Sequence, residues 1–198
     1  MIDAIDRATD TVAGGGLIAY PTETVYGLGA DATNPAAVER VFEAKRRSHG
    51  KPVSMAVPDI DQAAEHVRLS RRERRFANAF LPGPVTLVCA RREGVPDILT
   101  AGRDRVGIRI PDHRRALALL ARTPPLTATS ANVSGRPSAL RADELDSEIR
   151  AVTDVVLPRE MPPADEDPVG STVVDVARGE IHREGAQGAA VEAWLETH

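Results

Sequence analysis

Apolar residues recur first at the spacing that turns one side of a helix inward. Ile2, Ile5, Ala8 and Val12 predict a helix over 3–13, which Gly14, Gly15 and Gly16 end. The unbroken run LIAY (17–20) then predicts a strand. PTETVYGLG (21–29) holds too much Thr, Gly and Pro for either regular element and reads as a bridging loop. Asn34 followed by Pro35 marks a helix start, with Val38, Val41 and Phe42 inward. VSMAV (53–57) predicts a buried strand, and Asp59 opens another helical stretch. Ser70 caps a segment setting Arg71, Arg72, Arg74 and Arg75 opposite Phe76 and Phe80, which predicts a solvated arginine face. VTLVCA (85–90), VGIRI (106–110) and LTATS (126–130) read as strands, and RRALALLA (114–121) as a helix. VVL, STVVDV and EIHR read as a closing set of short strands, with VEAWLE as a terminal helix. The alternation predicts the α/β class: a single domain over 1–198, a twisted mixed parallel/antiparallel sheet with flanking helices. The proline-rich stretch 158–170 reads as a mobile loop, with a lid as the lesser reading.

Composition narrows the function classes. A chain of 198 residues with 42% hydrophobic and 27% charged residues is ordinary for one folded domain, which excludes wholesale disorder. With no run near the ~18 apolar residues of a membrane span, and an acidic start, no membrane association and a cytoplasmic location are expected. Cys89 alone cannot close an internal disulfide, and scattered histidines offer no zinc spacing. Cys89 itself lies in an apolar run and reads as a small core residue. Twenty-five basic against twenty-nine acidic residues give −4, which disfavours general coating of nucleic acid. Locally, KRRSHGK (45–51) concentrates four cations without an acid.

Several familiar chemistries are missing. Gly50-Lys51 runs into Pro52 and lacks the earlier glycine of a Walker phosphate loop. The triple glycine precedes the first strand, so it is no dinucleotide fingerprint. Neither G-x-S-x-G nor H-E-x-x-H occurs. What remains is PTETVYGLG, the basic cluster, TSANVSG and GSTVVD, all beside predicted strand ends. There, hydroxyls and backbone amides can surround a phosphate or carboxylate. Taken singly, each segment reads as a turn or a helix-end charge.

PTETVYGLGADA, FEAKRR, KPVSMAV, LPGPVTLV, VGIRIPDH, TSANVSGRPSA and GSTVVDV follow one another over about residues 8–186. In order and spacing they resemble the YrdC-like family of threonylcarbamoyl-adenylate synthases, in the short form without an appended C-terminal domain. The resemblance implies a YrdC-like fold and the joining of L-threonine, bicarbonate and ATP into threonylcarbamoyl-AMP and pyrophosphate. A downstream tRNA threonylcarbamoyl transferase then modifies adenosine 37 of tRNA; direct tRNA contact stays open. Mg2+ is expected to enter with ATP, and neither a protein nucleophile nor a resident metal is implied.

The resemblance places Lys45 and Arg47 as the K-x-R pair on the ATP phosphates, with Lys51, Ser130, Asn132, Ser138 and Arg183 around the nucleotide. It places Thr24 and Arg109 at the threonine, Arg109 on its carboxylate, with Thr22, Tyr26 and Ser171 in the same pocket. Three departures stand out: Arg46 replaces a usual glycine and is expected to point to solvent, Ala56 a frequent histidine, and Glu184 a frequent proline. The main rival is a noncatalytic RNA-binding role based on the arginines at 68–75, against which the 3% aromatic content argues. A carbamoyl-transfer maturation factor ranks third, since the partner domains and zinc-finger cysteines of such proteins are missing.

Overall fold

A computed structural model describes residues 3–159 and 169–198. Ile2 and most of the 158–170 stretch, with its reading as mobile loop or lid, lie outside the described residues. The helices are α1 (Ala4–Ala13), α2 (Pro35–Lys45), α3 (Ile60–His66), α4 (Arg71–Phe80), α5 (Asp97–Thr100), α6 (Arg114–Leu120), α7 (Ser147–Val152) and α8 (Gly188–Thr197). The strands are β1 (Ile18–Tyr20), β2 (Gly27–Gly29), β3 (Ser54–Ala56), β4 (Val67–Arg68) and β5 (Val85–Arg91), then β6 (Arg105–Arg109), β7 (Leu126–Ser130), β8 (Val155–Val156), β9 (Thr172–Asp175) and β10 (Glu180–Arg183).

The ten strands of the described residues form one sheet in the order β10-β9-β5-β6-β3-β7-β2-β1-β8, with β4 also on β5. The β3–β6, β5–β9 and β1–β8 pairs are parallel and the others antiparallel, so the expected mixed α/β sheet is present. Helix starts follow the sequence signals. Asn34 accepts from the amides of Ala36 and Ala37 at 3.0 and 3.4 Å. Ser70 and Glu73 close a reciprocal capping box at 3.2 and 2.7 Å.

The two faces of the sheet are covered unequally. Met55, Ile108, Leu87 and Val174 share one face and are buried with Phe42, Ala63, Phe76 and Val191 from α2, α3, α4 and α8. Each of these apolar side chains other than that of Ala63 contributes roughly 1.5–3 kcal/mol on burial. On the other face, Ile18, Tyr20, Ala56 and Leu126 pack against Ala8 and Val12 of α1 and Ala116 and Leu119 of α6. That cover stops short. Ser54, Gly107, Ala128 and Val88 on the same face stay partly exposed, leaving an open floor of small residues in the middle of the sheet.

Three expectations need correcting. The 21–29 segment is not loop throughout, because Gly27–Gly29 forms β2 between β1 and β7. Its glycines show no alternation, yet the Tyr20 ring lies across them: a Cβ at either Gly27 or Gly29 would sit 2.9 Å from a ring carbon. The last strands are not one closing set, since β8 pairs with β1 at one edge while β9 and β10 build the opposite one. The arginine face of α4 is not wholly solvated. Arg72 donates to Val176 O at 2.8 Å and stands 5.8 Å over the Trp194 ring, fastening α4 to α8. No described helix is long and apolar enough to cross a membrane.

Candidate functional site

Three chain segments beside the open floor are stitched together by backbone hydrogen bonds. Tyr26 N donates to Ala139 O and Ala131 N to Tyr26 O, both at 2.8 Å, joining the 21–29 segment to the 130–139 turn. Ser134 N donates to Lys45 O at 2.9 Å, joining that turn to the end of α2. The floor itself is tight: a Cβ at Gly107 would lie 2.3 Å from Ser54 Oγ and 2.8 Å from Thr86 Cγ2. Any side chain there would stand in the trough.

Lys45 is almost fully buried, at 2% exposure. Its ammonium donates to Ser130 O, to Asn132 O at 2.7 Å and to Asn132 Oδ1 at 3.5 Å, pinning the turn from below. Ser130 Oγ donates to Asn132 Oδ1, and Asn132 Nδ2 donates to Arg136 O at 2.6 Å. Arg47 donates to Lys51 O at 3.0 Å and Pro52 O at 2.9 Å. Arg183 donates to Ser171 O at 2.8 Å and Ser171 Oγ at 3.0 Å, and that hydroxyl meets Thr86 Oγ1 at 2.8 Å. Arg109, 6% exposed, is held by Glu23 Oε1 at 2.5 Å.

These cations converge. Burial and then Arg47 lower Lys45 from 10.5 to about 8. Burial and then Arg183 lower Arg47, and burial and then Arg109 lower Arg183. Lys45 and Arg47, Arg47 and Arg183, and Arg183 and Arg109 are each close enough to disfavour the other's charge, and Glu23 offsets the last of them. An anion with several charges spread along its length would relieve that repulsion.

Other expected residues take different places. Thr22 Oγ1 donates to Val25 O at 2.6 Å and lies 3.0 Å from Thr24 Oγ1, so the two hydroxyls shape their own turn. Tyr26 does not line the trough; its ring is fully buried and its hydroxyl donates to Leu157 O at 3.0 Å. Lys51 has an exposed side chain and offers Arg47 only its backbone oxygen. Ser138 is half-buried beside Ala139, whose carbonyl holds Tyr26 N. Arg46 takes the left-handed conformation at φ 49° that ends α2, which explains the usual glycine. Its guanidinium is mostly exposed, as expected, and pairs with Glu148. Ala56 is a core residue without exposure. Cys89 is buried too, and burial pushes its thiol up.

Sequence reading missed Glu23, Ser54, Thr86, Gly107 and Arg159. Arg159 stands 5.6 Å over the Tyr26 ring, with Nε and Nη2 buried and without a hydrogen-bond partner among the described residues. The available signal was strand alternation: Ser54 and Gly107 are weakly apolar positions on strands otherwise rich in Val, Ile and Met, and Arg109 lies two residues from Gly107 on its face. Two open depressions lie away from this trough. One of about 740 Å3 runs along Arg68 and residues 90–97, and one of about 470 Å3 lies between α2 and α7. Among the described residues no group of three metal-ligating side chains forms.

The geometry has counterparts in known proteins. Residues 10–185 match the family model Sua5_yciO_yrdC, described as telomere recombination. A putative threonylcarbamoyl-AMP synthase of Methanocaldococcus jannaschii is 36% identical over 148 residues, 74% of this chain and 69% of that protein. The threonylcarbamoyl-AMP synthase of Bacillus subtilis is 38% identical over 145 residues, 70% of this chain but only 42% of the relative. The crystal structure of P. abyssi Sua5 complexed with L-threonine superposes with a TM-score of 0.84 at 34% identity, over 93% of this chain and 55% of that one.

Proposed function

Since the chain belongs to the Sua5–YciO–YrdC family, we propose that it joins L-threonine, bicarbonate and ATP into threonylcarbamoyl-AMP and pyrophosphate. The product is the activated group for threonylcarbamoyl modification of tRNA adenosine 37, handed to a tRNA threonylcarbamoyl transferase in the cytoplasm. The observation that carries this reading is the placement of Lys45, Arg47, Arg183 and Arg109, with the hydroxyls of Ser130 and Ser171, around one open sheet face. The names of the relatives at 36–42% identity, threonylcarbamoyl-AMP synthase, agree with it.

The chemistry suits a site without a nucleophile. The amine of threonine takes up CO2 as a carbamate, a carbamate oxygen attacks the α-phosphorus, and pyrophosphate leaves. Both reactants are anions, so the protein's task is to hold them in line and offset their repulsion. Arg47 and Arg183 supply guanidinium forks for phosphate oxygens. Lys45, Ser130 and Asn132 hold the nucleotide turn in shape, with Lys51 and Ser138 at its margin. Arg109 receives the amino-acid carboxylate, beside Thr22, Thr24, Ser171 and the supporting Tyr26. Magnesium, carried by the phosphates and water, would neutralise charge on the leaving pyrophosphate.

The test mixes purified protein with ATP, magnesium, bicarbonate and single amino acids, measuring pyrophosphate release and the adenylate by mass spectrometry. Threonine-dependent formation of both is expected. Strong tRNA binding with no pyrophosphate from any amino acid would replace this reading with the RNA-binding one.

A further inference from the structure

The ion pair that holds Arg109 uses only half of its carboxylate. Glu23 gives Oε1 to Arg109 Nη2 at 2.5 Å, whereas Oε2 is buried and accepts no hydrogen bond among the described residues. Buried carboxylate oxygens ordinarily find donors, since an unpaired one costs the full loss of its hydration. Oε2 therefore marks a place prepared for a donor that arrives with the ligand. The hydroxyls of Thr22 and Thr24 on either side are turned onto each other at 3.0 Å and cannot both serve it. Arg159, the other nearby cation, leaves its own Nε and Nη2 unpaired and makes no bond to Glu23.

Arg109 likewise has capacity to spare. Of its five N–H groups, one on Nη1 goes to Ile110 O at 3.3 Å and one on Nη2 to Glu23 Oε1. A guanidinium and a carboxylate side by side, each with an open hydrogen-bonding position, match the two charged ends of an α-amino acid. Resting on the amino-acid reading of this site, we propose that Glu23 Oε2 binds the substrate's α-nitrogen by accepting an N–H, while Arg109 receives the α-carboxylate. The contact survives the reaction, because the nitrogen carries three N–H bonds as ammonium, two as amine and one as carbamate. Glu23 thereby selects α-amino acids over acids that lack the nitrogen.

The test is calorimetric titration of L-threonine and of (R)-3-hydroxybutanoate, which is threonine without its amine, into wild-type protein and Glu23→Gln. A nonhydrolysable ATP analogue serves as the folding and nucleotide-site control. In Glu23→Gln the amide oxygen stays on Arg109 and the NH2 group faces the ligand nitrogen, donor against donor. The expected result is a loss of threonine affinity of about tenfold or more, with nucleotide affinity retained and the preference for threonine over 3-hydroxybutanoate largely gone. Should Glu23→Gln fail to bind nucleotide, Glu23→Asp carries the same comparison, since it keeps the charge and withdraws the oxygen by one methylene. Equal threonine affinity in variant and wild type overturns the proposal. So does an equal loss for both ligands, which assigns Glu23 to holding Arg109 alone. Wild-type protein that binds no threonine overturns the proposed function along with it.

Discussion

A lysine ammonium enclosed by Ser130 O, Asn132 O and Asn132 Oδ1 is still a charge taken out of water, and burial lowers Lys45 to about 8. Two consequences of opposite sign follow. For stability, the folded state binds its proton less tightly than the unfolded chain, so Lys45 opposes folding below about pH 8, and that opposition fades as pH rises from about 8 to 10.5. For function, the free protein loses this cation above about pH 8, so affinity for an ATP analogue should fall between pH 7.5 and 9.5. Lys45→Gln should bind more weakly throughout and flatten that profile in calorimetric titrations. Arg46 allows a second test. Its left-handed φ of 49° carries a penalty of roughly 1–2 kcal/mol for a side-chain-bearing residue, and its exposed pair with Glu148 returns little. Arg46→Gly should leave stability unchanged or raise it slightly in a denaturant melt. At this scale the sequence was most legible: Lys45, Arg47, Ser130 and Arg109 sit in recognisable blocks. Glu23 was not, because its meaning depends on Arg109, 86 positions away.

At the level of elements, the open trough exists because α1 and α6 cover only part of one sheet face. Gly107 forms the bared floor with Ser54 beside it. Gly107→Val should lower affinity for both nucleotide and threonine by about tenfold or more, while circular dichroism shows the fold retained, since the atoms it meets first belong to side chains that can turn. Asp175 of β9 has the opposite character. It is fully buried and paired with Arg105 of β6 at 2.7 Å, so Asp175→Ala leaves that largely buried arginine with only the more distant Glu73, at 3.7 Å, among the described carboxylates. A loss of about 3–5 kcal/mol is expected in chemical unfolding. Helix starts were readable because Asn34 and Ser70 carry their own hydrogen-bonding instructions. β2 was not, because glycine hides alternation, and β8 was misplaced because pairing partners are chosen in space: Val155 and Val156 reach β1 across the whole chain.

For the whole molecule, a formal charge of −4 coexists with a cationic trough, so net charge says little about the sign of the charge at this face. The order of motif blocks implied the family and its sheet, yet the bare half of the face depends on where helices stop, which no local pattern states. The most direct measurement is a pair of calorimetric titrations, ATP analogue and L-threonine, on wild-type, Arg47→Ala and Arg109→Ala proteins. Wild type should bind both ligands. Arg47→Ala should lose roughly 10–100-fold for nucleotide, the size of a charge-assisted contact, and keep threonine, while Arg109→Ala should do the reverse. Wild type that binds neither ligand, or two variants that leave both affinities unchanged, would contradict a trough built to hold a triphosphate beside an amino acid.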